Sequence, residues 1–275
     1  MFEKVNPKHP DKIADRIGGA IVDLGYEKIK NPKIAGECLI GHGNCHIIIE
    51  TNVDYQYDEI KKIVDRISDS EVILDLKIVP QDIHLSNNQS KEIRCGDNGI
   101  FKACKISSEE QKLTDIVNKI YQKYKNDGKY IYDEKTETLI ACQSNVDSES
   151  FREELEKTGI KNIIVNPLGD WTGGINVDTG ATNRKLGSDM GRAVTGGGLH
   201  FKDISKSDVS VNVYLHKITN EKNINEVSCK CAISDKNIII NGEDISYKQI
   251  TDEAFDYIKN YIGGFEKLAE WGLIR

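Results

Sequence analysis

His9-Pro-Asp-Lys-Ile-Ala-Asp15 runs without a break into Arg16-Ile-Gly-Gly-Ala-Ile-Val-Asp-Leu24. A proline in the first turn presets the helical φ and lacks only an N–H that would have no partner there. Ile13, Ile17, Ile21 and Leu24 recur at three-to-four spacing, which predicts an amphipathic helix over residues 10–28. His9 and Asp11 then sit at a helix N-terminus. Free N–H groups and the positive end of the helix dipole make that end a place for an anion.

Working outward, residues 34–40 and 46–53 read as strands around the Gly41-His-Gly43-Asn44 turn, and 58–68 reads as a helix with Ile60, Ile63 and Ile67 inward. A further strand is expected over 72–79. The polar stretch 81–94, with Ser-Asn-Asn-Gln-Ser inside it, reads as a loop able to act as a lid. Helices are expected over 114–125 and 148–158, and strands over 130–132, 138–144 and 160–165. After a Gly-rich region from 169 to 198 come expected strands at 209–215, 227–234 and 237–240, then a terminal helix over 252–271. The class is α+β.

At 275 residues the chain exceeds one ordinary core and suggests two or three modules. With 38% hydrophobic and 29% charged residues and no apolar run long enough for a bilayer, it reads as a soluble protein with no membrane role. The start Met1-Phe-Glu-Lys-Val lacks the features of a secretory signal, so a cytoplasmic location is expected. Seven cysteines, an odd number, fit reduced thiols better than a disulfide framework, and Cys229 and Cys231 are too closely spaced for a zinc knuckle. A net charge of −7 argues against a broad nucleic-acid surface. Any anionic ligand must be held by a few chosen cations.

Those cations have candidates in His9, Lys12, Lys135, Arg184, Lys185, Lys202 and Lys206, which stand beside glycines, prolines or carboxylates. Gly196-Gly-Gly-Leu-His-Phe-Lys202-Asp-Ile-Ser-Lys206-Ser-Asp208 joins backbone freedom, point charge and a carboxylate suited to magnesium, although its spacing is not that of a Walker A loop. A second stretch, from Gly169 through Trp171 and Asp178 to Arg184-Lys185, adds an aromatic face and an acid.

The string His9-Pro-Asp-Lys-Ile-Ala-Asp15 resembles the N-terminal signature of the S-adenosylmethionine synthetases, with Glu3 similar to an acid just upstream of it. Other motifs follow in that family's order. Gly36-Glu37 and Glu50 resemble two acidic strand positions, and Cys95-Gly-Asp97-Asn-Gly99 resembles a Gly-Asp-Gln-Gly turn. Asp133-Glu-Lys135 is similar to an Asp-Ala-Lys motif, and Asn166-Pro with Trp171 to an Asn-Pro segment and aromatic position. Asp178 with Arg184-Lys185, and Gly196 to Asp208, resemble the remaining signatures, and the similarity runs end to end. The chain is shorter than typical members. It carries Val209 where the family usually has Arg, and one residue fewer between Gly198 and Lys202.

The resemblance implies three similar sheet-plus-helix modules about a pseudo-threefold axis, trimmed here, with approximate boundaries 1–105, 106–200 and 201–275 and discontinuous make-up. It implies synthesis of S-adenosylmethionine from ATP and L-methionine by sulfur attack at ribose C5′. The released tripolyphosphate would then be hydrolysed to pyrophosphate and phosphate. By the same resemblance His9 lies at the breaking bond and Lys135, Arg184, Lys185, Lys202 and Lys206 hold the polyphosphate. Asp11 and Asp208 bind Mg²⁺, and Glu37 binds K⁺. Glu3, Glu50, Asp97, Asp133, Trp171 and Asp178 contact the substrates, and the site forms between the subunits of a homodimer or higher oligomer. Two other readings stay open: a paralogue acting on another nucleophile, and a nucleotide-binding homologue without catalysis.

Overall fold

The computed structural model describes residues 1–198 and 201–275. Leu199 and His200, on which the shortened part of the Gly-rich segment falls, lie outside the described residues. The chain begins with β1 (Phe2–Val5), α1 (Pro10–Lys28), β2 (Ile34–Gly41), β3 (Asn44–Thr51), α2 (Tyr57–Ser68), β4 (Ile73–Val79) and the short α3 (Ile83–Asn88). Next come β5 (Gly99–Cys104), α4 (Ser108–Lys123), β6 (Gly128–Asp133), β7 (Thr138–Gln143), α5 (Ser148–Glu156) and β8 (Asn162–Val165). The Gly-rich region contributes β9 (Thr179–Ala181), α6 (Leu186–Met190) and β10 (Val194–Thr195). Then follow α7 (Ser207–Glu221), β11 (Glu226–Cys231), β12 (Asn237–Ile240), β13 (Glu243–Ser246), α8 (Tyr247–Asp256), a π-helical turn (Tyr257–Ile262) and α9 (Phe265–Trp271).

Helix, strand, strand, helix, strand occurs twice, as α1-β2-β3-α2-β4 and as α4-β6-β7-α5-β8. In each, an antiparallel hairpin is followed by a helix that carries the chain to a parallel third strand. The stretch after α7 begins the same way with β11, but its β12-β13 hairpin ends in α8. A strand preceding each long helix pairs outside its own unit: β1 with β6, β5 with β11, and β9 with β2, all antiparallel. The sheets are therefore β4-β3-β2-β9, β1-β6-β7-β8 and β10-β5-β11, beside the β12-β13 hairpin.

Strict alternation builds the inner faces. In β3, Cys45, Ile47 and Ile49 are buried while His46, Ile48 and Glu50 face out. One core joins α1, α2, α7 and α8 with the sheets of β2 and β11; a second lies between α4, α5 and the sheet of β6, around Leu113, Val117, Tyr130, Leu139 and Phe151.

The expected strand at 209–215 is instead part of α7. Val209, Val211, Val213 and Leu215 alternate as in a strand, but Ser210 and Asn212 between them are buried as well. A helix enclosed on every side has no polar face, so its sequence carries no helical period. The expected terminal helix is broken, because Gly263 and Gly264 adopt φ of +98° and +113° and separate the π-helical turn from α9. The loop at 81–94 contains α3, capped by Asp82 accepting from the His84 and Leu85 N–H groups.

Close approaches seat α1 at the centre. A Cβ at Gly18 would lie 2.2 Å from Phe201 Cδ2, and one at Gly36 on β2 would lie 1.9 Å from Phe201 Cε1, so the Phe201 ring is clamped between helix and sheet. Asp23 holds the start of α9 by accepting from Phe265 N and Glu266 N at 2.7 and 2.8 Å. Gly18→Ala should gain about 1 kcal/mol of helix propensity yet lose about 1–3 kcal/mol to overpacking. We expect a lower urea midpoint for Gly18→Ala, and a much smaller loss when it is added to Phe201→Leu. Equal losses in the two backgrounds would remove the clamp as the explanation.

Candidate functional site

β9 lies across the first turn of α1 so closely that a Cβ at Gly180 would be 2.0 Å from Pro10 O. Two carboxylates of α1 grip the crossing segment: Ala181 N donates to Asp11 Oδ1 and Asn183 N to Asp15 Oδ1, each at 2.9 Å. The next two residues then reach Asp11, with Lys185 Nζ 2.9 Å from Oδ2 and Arg184 Nη1 3.3 Å from Oδ1. Asp11 is only 1% exposed. Behind it, buried Lys12 pairs with Asp189 of α6 and lies 3.8 Å from Asp15 Oδ2.

His9 caps α1, its Nδ1 accepting from Asp11 N at 3.2 Å. Burial pushes its pKa down to about 4; the charges of Lys185 and Lys129 add to this, and Asp11 and Asp178 oppose it. The imidazole is neutral at pH 7. With Nδ1 accepting, its proton sits on Nε2, which is a donor.

Antiparallel pairing of β1 with β6 sets Val5 opposite Lys129, and Asn6 N donates to Gly128 O at 3.1 Å. Lys129 Nζ lies 3.0 Å from Glu3 Oε2, which brings Glu3 into the same neighbourhood. Asp127 Oδ2 accepts from Gly174 N at 3.1 Å. Burial raises its pKa to about 6, and the charges of Asp178 and Asp11 add to this while the Gly174 N–H and Lys185 oppose it. A Cβ at Gly173 would be 2.7 Å from Trp171 Cζ3 and 2.9 Å from Asp127 Oδ2, which places the indole beside this carboxylate. Trp171 Nε1 donates to Asn166 Oδ1 at 3.1 Å.

A second group gathers at the start of α7. Asp208 lies in its first turn, Lys206 is its N-cap, and Lys202 Nζ is 3.6 Å from Asp208 Oδ2. Burial raises the Asp208 pKa; Lys202 and Lys206 oppose the rise, and the nearby charge of Asp97 adds to it. Gly197, at φ +60°, leaves 2.3 Å between its missing Cβ and that of Asp208, and Gly198 would put a Cβ 2.9 Å from Asn183 Oδ1. The residue before Arg184 thus abuts the Gly-rich segment. Glu37 accepts from the Thr182 hydroxyl. Glu50 is exposed on β3 opposite Ala35, and Ala35 in turn bridges to Lys202 through its backbone.

Asp133 and Lys135 are not brought to either group. They occupy the exposed β6–β7 turn, where Asp133 accepts from Lys135 N and the Thr136 hydroxyl. Asp133 is four strand residues beyond Lys129, or about 13 Å along the sheet. Asp127 and Lys129, which the sequence reading passed over, stand in the cluster instead. Both pairs have the form Asp-x-Lys, Asp127-Gly-Lys129 and Asp133-Glu-Lys135, so the signal was present twice. Among the described residues no group of three or more His, Cys, Asp or Glu side chains could hold a metal by itself. Nor is any helix among them long and apolar enough to cross a membrane.

Together these features define a mixed α+β protein with cations, carboxylates and a neutral histidine gathered at two helix N-termini. No protein-family model matches the chain. The sequence is 28% identical over 262 residues to the S-adenosylmethionine synthase of Mycoplasmopsis synoviae, covering 76% of this chain and 68% of that one. With the S-adenosylmethionine synthases of Helicobacter pylori and Helicobacter hepaticus it shares 35% identity over 74 residues, and the match spans 26% of this chain and 19% of theirs. An unusual S-adenosylmethionine synthetase from Campylobacter jejuni has the same fold, with a TM-score of 0.74 at 19% identity over 99% of this chain and 93% of that one. The chain is S-adenosylmethionine synthetase-like, a divergent relative of that family.

The Asp127 carboxylate supplies a pH test. An acid whose pKa is raised from 3.8 to about 6 on folding costs almost no stability below about pH 3, where both states are protonated. The cost grows as pH rises toward 6 and then stays, reaching about 3 kcal/mol at most. Asp127→Asn should therefore raise the melting temperature at about pH 8 and leave it unchanged at about pH 3. Equal effects at both pH values would contradict this.

Proposed function

We propose that this protein makes S-adenosylmethionine from ATP and L-methionine. The observation that carries the reading is the cluster of His9, Asp11, Lys129, Arg184 and Lys185 around the N-terminus of α1, in a chain whose net charge is −7. The methionine sulfur attacks C5′ of the ribose, the C5′–O bond breaks, and the tripolyphosphate leaves with the bonding pair. A thioether is nucleophilic without a base, so the chain's task is to stabilise the departing charge. His9, neutral and donating from Nε2, hydrogen-bonds the leaving oxygen. Arg184, Lys185 and Lys129 hold the phosphates, with Lys129 in the part that the sequence reading gave to Lys135. Lys202 and Lys206 serve the distal end of the chain of phosphates.

Asp11 and Asp208 are hard oxygen donors suited to Mg²⁺, which relies on one or two carboxylates together with substrate phosphates. Lys185, now on Asp11 Oδ2, would turn to the phosphates as they arrive. Magnesium bound there would draw charge from the phosphate oxygens. Glu37 is assigned to K⁺, Glu50 and Asp97 to the methionine ammonium, and Trp171, with Asp127 and Asp178, to the nucleoside. Glu3 fixes Lys129.

We infer further that the three sheets are related by a pseudo-threefold axis. The cyclic exchange of β1, β5 and β9 supports this reading, and it makes the modules near 1–105, 106–200 and 201–275 discontinuous. A homodimer with a shared site is proposed through the outer face of the β2–β3 sheet. There Leu39 and Ile48, 46% and 53% exposed, flank the acids Glu37 and Glu50.

Incubation with ATP, methionine, Mg²⁺ and K⁺, followed by mass spectrometry, should yield S-adenosylmethionine. Pyrophosphate with phosphate, or intact tripolyphosphate, will report on hydrolysis beside Val209. An adduct formed only with another nucleophile, or none at all, would defeat the proposal. Lys129→Met should lower the rate by about 10²–10³-fold, whereas Lys135→Met should stay within about threefold, as expected of an exposed charge. The reverse order would return the phosphate role to Lys135.

A further inference from the structure

A cleft of about 740 Å³ separates α7 from the π-helical turn and the C-terminal segment, and no residue of the proposed catalytic site lines it. The volume falls in the range of small-molecule pockets. One wall is the π-helical turn itself, an irregularity of helices that recurs at functional sites. The Tyr257 and Tyr261 rings on that turn are stacked with centroids 4.8 Å apart, and Tyr261 is 73% exposed.

Two polar groups of the lining stand without the partners their burial calls for. His216, in the middle of α7, is 2% exposed, and burial pulls its pKa down to about 4, so it is neutral. Asn220 Nδ2 lies 3.0 Å from its Nε2. The His216 Nδ1 is buried and has no hydrogen-bond partner among the described residues. Arg275 is the second group. Its guanidinium donates to Ile262 O at 3.1 Å, and among the described residues no carboxylate lies within ion-pair distance of it. The acids of the cleft are already engaged, Asp256 by Asn260 at 2.6 Å and Glu221 by Lys217 at 3.5 Å.

Tyr257 links the two groups. Its ring meets His216 edge-on at 6.3 Å between centroids, and the charge of Arg275 acts on its hydroxyl. We propose that this cleft is a second binding site, for a small aromatic carboxylate whose ring covers Tyr261 and whose oxygens take the Arg275 guanidinium. A guanidinium matches a carboxylate in shape as well as charge, and the tyrosine pair supplies an apolar plane beside it. The catalytic assignment plays no part in this inference.

The probe is 2-aminobenzoate, titrated into the full chain and followed by its own fluorescence, with aniline as the neutral control. For a ligand of this size a dissociation constant of about 0.1–1 mM is expected. Aniline should bind at least about tenfold more weakly, Arg275→Met should weaken 2-aminobenzoate about tenfold, and Tyr261→Ala should weaken it about fivefold. Tyr261 is exposed, so its variant keeps the fold even where Arg275→Met does not. Saturating ATP should leave the titration unchanged. No saturation up to about 10 mM, full affinity in Tyr261→Ala, equal affinity for aniline, or displacement by ATP would each overturn the proposal.

Discussion

The organisation of this protein turns on one buried carboxylate. Asp11 sits where the α1 dipole favours negative charge, and it spends that charge on the Ala181 N–H, on Lys185 and on Arg184. An isolated carboxylate at 1% exposure would be costly, so its burial depends on these partners. They belong to a Gly-rich stretch with little apolar content of its own, and their alignment across α1 depends in turn on Asp11. Helix, strand and cations are thus held in one arrangement by a single group.

Support for that arrangement comes from behind. Lys12 pairs with Asp189, one residue before the end of α6, and Leu273 N donates to Asp189 O at 2.8 Å. Lys4 is fully buried, donates to Ser188 O, Trp271 O and Ile274 O, and has its pKa drawn down by burial to about 7. The backbone that follows Arg184 and Lys185 is therefore anchored to β1, α1 and the C-terminal segment together. Buried pairs and backbone hydrogen bonds of this kind hold the segment that follows Lys185 in one position.

Much of this could be read from residue order. Pro10 and the isoleucine spacing locate α1, and β2, β3, α2, β4 and α5 fall close to where alternation and helical period place them, because each has one wet face. His9, Asp11, Arg184 and Lys185 converge, as do Lys202, Lys206 and Asp208. What could not be read was context. The valines of α7 alternate because the helix is enclosed, and a pattern argument needs a contrast between faces that enclosure removes. Between Asp127-Gly-Lys129 and Asp133-Glu-Lys135 the tripeptide itself offers no choice. The strand register decides, since pairing Val5 with Lys129 fixes which end of β6 meets the histidine.

Strand exchange also has an energetic meaning. β1, β5 and β9 each complete a sheet whose other strands come from elsewhere in the chain, so no unit closes its own edge. Each unit's sheet is complete only with the strand that precedes another unit's helix. The segments that cross between units also lead to the clustered side chains: β9 to Arg184 and Lys185, and β1 directly to His9. Cations delivered this way are correctly placed only in the assembled molecule.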